Sequence, residues 1–401
     1  MSNNSLSIFI TSTEEVILDQ KNLRPFGDVQ FLFAQFLSRE LTSPLVARKF
    51  PELAALGFWL RPANLKKIIG KHNLNLDVNL FVPRGLVFHI APSNVDTIFV
   101  YSWFISLLCG NRNLIRISEK VNPQNNLLLD IIVKTLLKPE FKEIANSIQI
   151  ISYGHDDDIS KDLSLKTDVR VVWGGDSTIN HFRSFQIPPH GTELCFSNKF
   201  SLCIIDSDKL NQLSQEQLLK LSKGFYNDSY WFGQMACSSP RLILWRGRGE
   251  NLDIAREKFW RVFEEVLNKK RNFFDTADFV NKEISVDSLA FKQKVKISSK
   301  DNRLTKIWLD KPEVYINDHC GLGLFHESKI THLSDLSSLL SRSIQTVSYF
   351  GLSREEVFHY VKEHLPVGID RFCEVGHALD FGSIWDGLDL FRSFLRQIDF
   401  K

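Results

Sequence analysis

The run "GLVFHIAPSNVDTIFVYSWFISLLCGNRNLIRIS", residues 85–118, decides the fold. Its first part, "GLVFHIAP" (85–92), is a short β-branched and apolar stretch without polar alternation, the pattern of a strand buried on both faces. "SN" then supplies N-cap residues, "VDTIFVYSWFISLLC" runs on at helix length, and Gly110 stands where a helix stop belongs. "NLIRIS" (113–118) is the next strand. Strand, helix and strand in close succession make a βαβ unit, whose strands must be parallel because the helix carries the chain back to the same end of the sheet.

The same alternation continues on the C-terminal side. "NPQNNLLLDIIVKTLL" (122–137) predicts a helix, "SIQIISY" (147–153) a third strand, 157–164 a helix, "DVRVVWGG" (168–175) a fourth strand, and Asp176 opens another helix. Together these form a doubly wound unit. A second alternating block starts at "FSLCIID" (200–206) and passes through the helix "SQEQLLKLSKGFYN" (214–227) to the strand "RLILW" (241–245). The amphipathic helix near 250–268, the strand "KIWLD" (306–310) and the 335–364 region complete a second α/β block. The expected partition is a mostly helical segment over 1–82 wrapping the first domain, domains over 83–199 and 200–365, and a C-terminal segment over 366–401 that returns to the first domain or forms an oligomer contact. There are no repeats, low-complexity stretches or long Gly/Pro linkers, so the two domains are expected to pack tightly.

Bulk properties narrow the classes of function. The formal net charge of +2 over 401 residues, with both signs interspersed, lacks the basic footprint of a nucleic-acid or anionic-membrane binder. The six cysteines show no CxxC pair and no regular spacing, which suggests neither a disulfide framework nor a zinc site and fits a reducing cytoplasm. The N-terminus "MSNNSLSIFITSTEEVILD" has no basic n-region, long apolar core or cleavage site of a signal peptide. The most apolar run, "VDTIFVYSWFISLLCG", carries Asp96 and falls short of the roughly 20 apolar residues that span a bilayer, so it is read as a buried helix.

Three segments could carry chemistry. In "FGQMACSSPR" (232–241), Cys237 sits among small and polar residues ahead of a strand. A free cysteine is usually an inert buried hydrophobe, but a turn whose amides favour the thiolate makes it a nucleophile. "HIAPSNVD" (89–96) lies at the carboxyl end of the first strand, where ligands gather in open α/β sheets. Asn94 there reads as an N-cap or, beside a nucleophile, as an oxyanion donor. "WGGD" (173–176) ends another strand of the same unit, and Gly174 and Gly175 either make a simple turn or let the backbone approach a cofactor closely. Neither GxGxxG nor GxxxxGK[ST] occurs, which disfavours a standard Rossmann dehydrogenase and a P-loop enzyme. The acidic "YGHDDD" (153–158) is read as a helix start and not a metal site. His89, His319 and His377 are read as structural histidines.

In combination these segments resemble the aldehyde dehydrogenase superfamily and, within it, the long-chain acyl-thioester (fatty-acyl) reductases of bacterial light-emitting operons. Residues 85–120 resemble their first cofactor-binding βαβ unit, with "PSN" in the place of Pro-x-Asn and "LLCGNRNLIR" in the place of a Gly-Asn run into a basic residue. "VVWGGD" is similar to the next nicotinamide-side loop, "FGQMACSSPR" to the nucleophile segment, and "PVGIDRFCEVGHALDFGSIWDG" (366–387) to the C-terminal signature of the reductases. The resemblance covers residues 80–390, with four separated motifs in the right order. It implies an aldehyde-dehydrogenase-like α/β fold, with a Rossmann-type NAD(P)-binding domain over 83–199 and an α/β catalytic domain over 200–365 carrying the nucleophilic cysteine.

The chemistry implied by the resemblance is reduction of an acyl thioester to an aldehyde. Cys237 attacks the thioester, Asn94 and the Cys237 backbone N–H stabilise the oxyanion, and hydride from the nicotinamide reduces the bound thioacyl group. Cofactor contacts fall on Ala91, Pro92, Ser93, Arg116, Ser118, Glu119, Gly174, Gly175 and Asp176. Arg116 matches a basic residue beside the adenosine ribose and suits NADPH; an inward Glu119 would repel a 2′-phosphate and favour NADH, whereas a solvated one leaves NADPH. "GTELCFSNKFS" (191–201) departs from the Glu-Leu-Gly-Gly-Lys run of hydrolytic aldehyde dehydrogenases, so Glu193 is either the remnant of a water-activating base or a surface carboxylate. "NDHCGLGLF" (317–325) likewise departs from Glu-x-Phe-Gly-Pro. The acyl donor implied is acyl-CoA, an acyl carrier protein, or an acyl group delivered by an acyl-protein synthetase, and the chain is expected to form a cytoplasmic homo-oligomer with neither a membrane span nor a nucleic-acid partner. Alternatives are an oxidative aldehyde dehydrogenase that uses Glu193, and a catalytically silent scaffold subunit of an acyl-transfer complex.

Overall fold

A computed structural model describes residues 7–8, 17–18, 20–72, 74, 80–92, 97–119, 123–154, 156–270 and 276–401. The chain divides into two compact units, one made of residues 1–197 and 381–401 and the other of residues 198–380.

The first unit is built on strands β1 (Ser7–Ile8), β2 (Leu80–Pro83), β3 (Leu86–Ile90), β4 (Arg112–Ile117), β5 (Ile148–Ser152), β6 (Val169–Trp173) and β7 (Thr192–Phe196). Among the described residues its main sheet runs β1-β5-β4-β3-β6-β7. All neighbours from β5 to β7 are parallel, and β1 joins the edge antiparallel. Every residue of β3, β5 and β6 is buried, as two-sided helix cover demands. The chain winds outward from β3 to β5 and then crosses back to place β6 beside β3. That reversal creates a topological switch point at the carboxyl ends of β3 and β6.

The helix after β3 spans Ile98–Leu108 and is followed by Gly110 at φ +85°. A Cβ at Gly110 would come within 2.2 Å of the Leu23 carbonyl oxygen, so only glycine allows the N-terminal segment to dock there. That docking is made by Leu23 N–H donating to the Gly110 oxygen at 2.8 Å and Phe26 N–H to the Leu108 oxygen at 2.7 Å. Helices Asp28–Leu41, Pro44–Lys49, Pro51–Trp59 and Pro62–Gly70 follow, three of them opened by proline at a position where its missing N–H costs nothing. The tail belongs to this unit: Leu395–Ile398 pairs antiparallel with β2, Trp59 Nε1 donates to the Phe381 oxygen at 3.0 Å, and Asn111 Nδ2 to the Phe394 oxygen at 3.0 Å.

The second unit contains β8 (Phe200–Asp206), β9 (Pro240–Arg246), β10 (Val295–Asp301), β11 (Leu304–Leu309), β12 (Leu324–Ile330), β13 (Ile344–Phe350) and β14 (Arg371–Glu374), in the order β10-β11-β12-β9-β8-β13-β14. Its strands are parallel from β11 to β14. Alternate residues of β8 enter opposite cores. Cys203 and Ile205 meet Phe225, Phe259 and Phe263 on one face, and Phe200, Leu202 and Ile204 meet Leu289, Leu336 and Tyr360 on the other. The helix expected over 214–227 runs from Gln215 to Tyr230 and begins with a reciprocal capping box between Ser214 and Gln217. The expected helix near 250–268 spans Gly249–Asn268, with Leu252, Ala255, Phe259, Phe263 and Val266 buried along one stripe.

Asp228, on the Gln215–Tyr230 helix, holds the C-terminal signature segment. Its carboxylate accepts from Gly376 N–H at 2.6 Å and from Ala378 N–H at 2.9 Å. Burial pushes its pKa from 3.8 to about 7, an effect those two hydrogen bonds only partly offset. A carboxyl whose folded pKa exceeds its unfolded value takes up a proton on folding, so its favourable contribution is complete below the unfolded pKa and is lost as pH rises through about 7. In thermal melts, wild type should therefore lose stability relative to Asp228→Asn between pH 5 and 8, by roughly 3 °C or more. A difference between the two proteins that does not change with pH would refute this.

Candidate active site

Cys237 lies in the turn Ala236–Ser239, closed by Ser239 N–H donating to the Ala236 oxygen at 3.0 Å, immediately before β9. The turn is therefore at the amino edge of the second unit's parallel sheet. Its approach is strained: Phe232, Gly233 and Gln234 have φ of 54°, 59° and 64°, a left-handed run that non-glycine residues adopt only when their surroundings impose it. The imposing group is the side chain of Gln234, which is fully buried. Its Nε2 donates to the Pro240 and Leu324 oxygens, both at 3.0 Å, and its Oε1 accepts from Gly323 N–H at 2.9 Å. Leu322 N–H also donates to the Gly233 oxygen at 2.9 Å. Gly321, at φ +78°, lies so close that a Cβ would sit 2.4 Å from the Gly233 oxygen.

Two further strands reach the cysteine. Ser201 Oγ, on β8, donates to the Cys237 carbonyl at 2.6 Å. Gln345 Nε2, on β13, donates to Cys237 Sγ at 3.3 Å. Thr346 Oγ1 donates to Gln345 Oε1 at 3.3 Å, so the amide turns its NH₂ toward the sulfur. The half-buried sulfur thus has an oriented donor beside it and a backbone that cannot relax. Such a site suits a thiolate and the charge that develops when it attacks a carbonyl.

In the first unit, Ala91 and Pro92 follow β3 directly, and Ala91 N–H donates to the Arg116 oxygen at 2.9 Å. Arg116 stands on β4 opposite Ile90. Its guanidinium lies 4.6 Å from the Tyr153 ring centroid and donates from Nη2 to the Tyr153 and Gly154 oxygens at 3.3 and 3.2 Å. Among the described residues its buried Nε has no hydrogen-bond partner. Ser118 is half-buried and Glu119 exposed. Gly174 and Gly175 follow β6, and Gly175 precedes the helix Asp176–Arg183, whose first amides no side chain caps. Asp176 is exposed. The fold thus collects Ala91, Pro92, Arg116, Ser118, Gly174, Gly175 and Asp176 at the carboxyl edge of one sheet. Ser93 and Asn94 lie outside the described residues.

Glu193 lies on β7 opposite Arg170. One carboxylate oxygen accepts from Arg170 at 2.5 Å and the other from Arg183 at 3.0 Å. Partial burial pushes its pKa up, but hydrogen bonds from Arg170, Cys195 and Arg183 bring it below the usual carboxylate value. The neighbouring Cys195 thiol is pushed up to about 12 by burial and by Glu193. Among the histidines, His89 is fully buried between Ser102 Oγ at 3.3 Å and Asn113 Oδ1 at 3.1 Å, and burial lowers its pKa to about 4. In the "YGHDDD" stretch, Asp156 accepts from the Asp158 and Ile159 amides and caps the helix Asp157–Leu165.

Gln234, Ser201 and Gln345 were not readable as site residues from the sequence. Gln234 stands inside the quoted nucleophile segment, but its role depends on strands far away in the chain. Gln345 is the second residue of an ordinary β-branched strand and carries no local signal at all.

The fold is shared with an aldehyde dehydrogenase (ALDH21) from Physcomitrella patens, at a TM-score of 0.63 and 11% identity over 92% of this chain and 85% of the other. It is also shared with methylmalonate-semialdehyde dehydrogenase from Oceanimonas doudoroffii, at a TM-score of 0.63 and 14% identity over 97% of this chain and 90% of the other. A long-chain acyl-protein thioester reductase of Photorhabdus laumondii is 25% identical over 321 residues, which make up 76% of this chain and 62% of that protein. Its counterpart in Aliivibrio fischeri is 27% identical over 198 residues, 48% of this chain and 39% of that protein. The chain thus spans less than two thirds of the length of the curated relatives it matches. The family model for acyl-CoA reductase (LuxC) matches residues 72–397, and with its aldehyde-dehydrogenase fold and its cysteine turn before β9 the chain belongs to the acyl-CoA reductase (LuxC) family.

Proposed function

We propose that this chain reduces an acyl thioester to an aldehyde, with Cys237 as the residue that accepts the acyl group. The observation that carries the reading is the oriented Gln345 amide on the Cys237 sulfur in a backbone pinned by Gln234. A thiolate at Cys237 attacks the thioester carbonyl, a carbon–sulfur bond forms, and the leaving thiolate departs with the second carbon–sulfur bond broken. Gln345 supplies a donor on the attacking side, and the Cys237 amide supplies one for the oxyanion.

Residues at the carboxyl edge of the first unit fit a nicotinamide dinucleotide. The orphaned buried Nε of Arg116 and the uncapped amides before Ile179 are donors of the kind that phosphates take. When bound, such a cofactor would supply the hydride that adds to the acyl carbon, and the aldehyde would form as the carbon–sulfur bond to Cys237 breaks and Cys237 leaves as thiolate. Ala91, Pro92, Ser118, Gly174, Gly175 and Asp176 line its place, and Arg116 faces the adenosine end. The exposed Glu119 leaves a 2′-phosphate unopposed and favours NADPH over NADH. The donor is a CoA, carrier-protein or synthetase-bound acyl group.

Glu193 enters the reading as a structural residue. A carboxylate shared by two guanidinium groups and depressed in pKa is a poor base for activating water. The acyl-enzyme then has no water-activating group in Glu193, which favours reduction over hydrolysis.

Incubated with labelled acyl-CoAs and no nicotinamide, the protein should acquire label on Cys237, and NADPH should release it as aldehyde. Cys237→Ser should abolish labelling and lower turnover at least roughly a thousandfold. Label on another residue, or no aldehyde from any acyl donor, sinks the proposal. Arg116→Ala should raise the KM for NADPH roughly tenfold while changing that for NADH little, since one charge-assisted hydrogen bond is worth about that factor. An equal effect on both cofactors would remove Arg116 from 2′-phosphate recognition.

A further inference from the structure

Arg241 is a buried cation, 8% exposed. Among the described residues its Nε has no hydrogen-bond partner and no carboxylate forms an ion pair with it. A β-bulge determines where its side chain goes. Ser201 pairs with Pro240 and Leu202 with Leu242, which leaves Arg241 as the extra residue on β9. Bulges re-aim side chains in this way beside functional sites. The guanidinium comes to 5.8 Å from the ring centroid of Phe200, next to Ser201, whose hydroxyl holds the Cys237 carbonyl.

The groups around Arg241 decide what balances its charge. Burial pulls its pKa below the ordinary guanidinium value, and negative charge on the sulfur of Cys237 or Cys320 acts in the opposite direction. His319 is neutral: its Nδ1 accepts from Gly321 N–H at 3.0 Å, so its proton is on Nε2, which donates to the Leu324 oxygen at 2.7 Å. His326 is fully buried and brought down to about 4 by that burial, so it too is neutral. The carboxylate facing His326, Asp318, is taken by Lys292 at 2.5 Å and Ser288 at 2.7 Å. Lys282, which acts on His319 and Cys320, is a second cation. Cys320 is held as a thiol, since burial raises its pKa and its Sγ donates to the Gly321 oxygen at 3.6 Å. The carboxylate of Asp278 acts on Cys320, and of the two groups that act on Arg241 itself, Cys237, whose sulfur accepts from Gln345, is the one able to carry the compensating negative charge.

We infer that Arg241 is the positioning residue that keeps the Cys237 sulfur ionised, a buried cation whose counter-ion is the nucleophilic thiolate itself. The inference rests on reading Cys237 as the nucleophile, so its test measures the thiol directly and uses no acyl donor. Carbamidomethylation of Cys237 by iodoacetamide is followed across pH on the full chain, with the Cys237 peptide read by mass spectrometry. In wild type the inflection is expected below the ordinary thiol value of about 8.5. Arg241→Lys keeps the charge and should keep the inflection low. Arg241→Gln should raise it by about one unit or more, slow alkylation at pH 7 roughly tenfold, and converge on the wild-type rate at pH 10. Convergence separates an electrostatic role from damage to the turn, which would slow the reaction at every pH. A wild-type inflection at or above about 8.5 overturns the inference without any variant. So does a Lys variant as impaired as the Gln variant, or a folded Gln variant with an unchanged profile. A low, Arg241-dependent inflection in a protein that no acyl-CoA labels would uphold the inference while removing the reductase reading.

Discussion

Three hydrogen bonds of the Gln234 side chain hold together the segments on which Cys237 depends. One amide joins the turn before β9 to the strand it enters and to the loop before β12. Its donors and acceptor are all used, and it is fully buried, so no water competes for them. The left-handed backbone at Phe232, Gly233 and Gln234 persists because this amide and the Gly233–Leu322 hydrogen bond over-determine it. Gly321 belongs to the same constraint, since any side chain there would collide with the Gly233 carbonyl.

The two units use opposite edges of their sheets. In the first, the chain order β5-β4-β3-β6-β7 reverses beside β3, and the residues that follow β3 and β6 gather at carboxyl ends. In the second, the Cys237 turn precedes β9, and the contacts that shape it come from the starts of β8 and β13 and from the loop before β12. Parallel strands make both arrangements available, because all their carboxyl ends lie on one edge and all their amino ends on the other. Orphan donors at the first edge suit phosphates, whereas buried cationic and amide groups at the second suit a thiolate.

Glu193 illustrates how a residue acquires meaning from its partners. In "GTELCFSNKFS" it stands beside Leu194 as a water-activating glutamate would. In the sheet it lies opposite Arg170, and the Asp176–Arg183 helix brings Arg183 to its other oxygen. Two cations both hold the carboxylate and lower its basicity, so the arrangement that stabilises the β6–β7 edge also removes a base.

Much of the architecture was legible in the order of residues. Continuous apolar runs announced strands covered on both faces, the "SN" and helix-length run after β3 announced a helix, and Gly110 announced its end, because each of these signals is local. The motif order around Cys237 carried the family resemblance for the same reason. Partners distant in the chain were not legible: Gln345 lies 108 residues from the sulfur it donates to, and Ser201 36 residues from the carbonyl it holds. Arg241 is four residues from Cys237, yet its direction is set by a bulge that exists only once β8 pairs with β9. The sequence by itself determined which segments become strands and helices and which cysteine stands in the polar turn ahead of β9. Only the tertiary structure decided what surrounds that sulfur, because hydrogen bonds, buried charge and bulge geometry depend on strand pairing between segments that no local pattern connects.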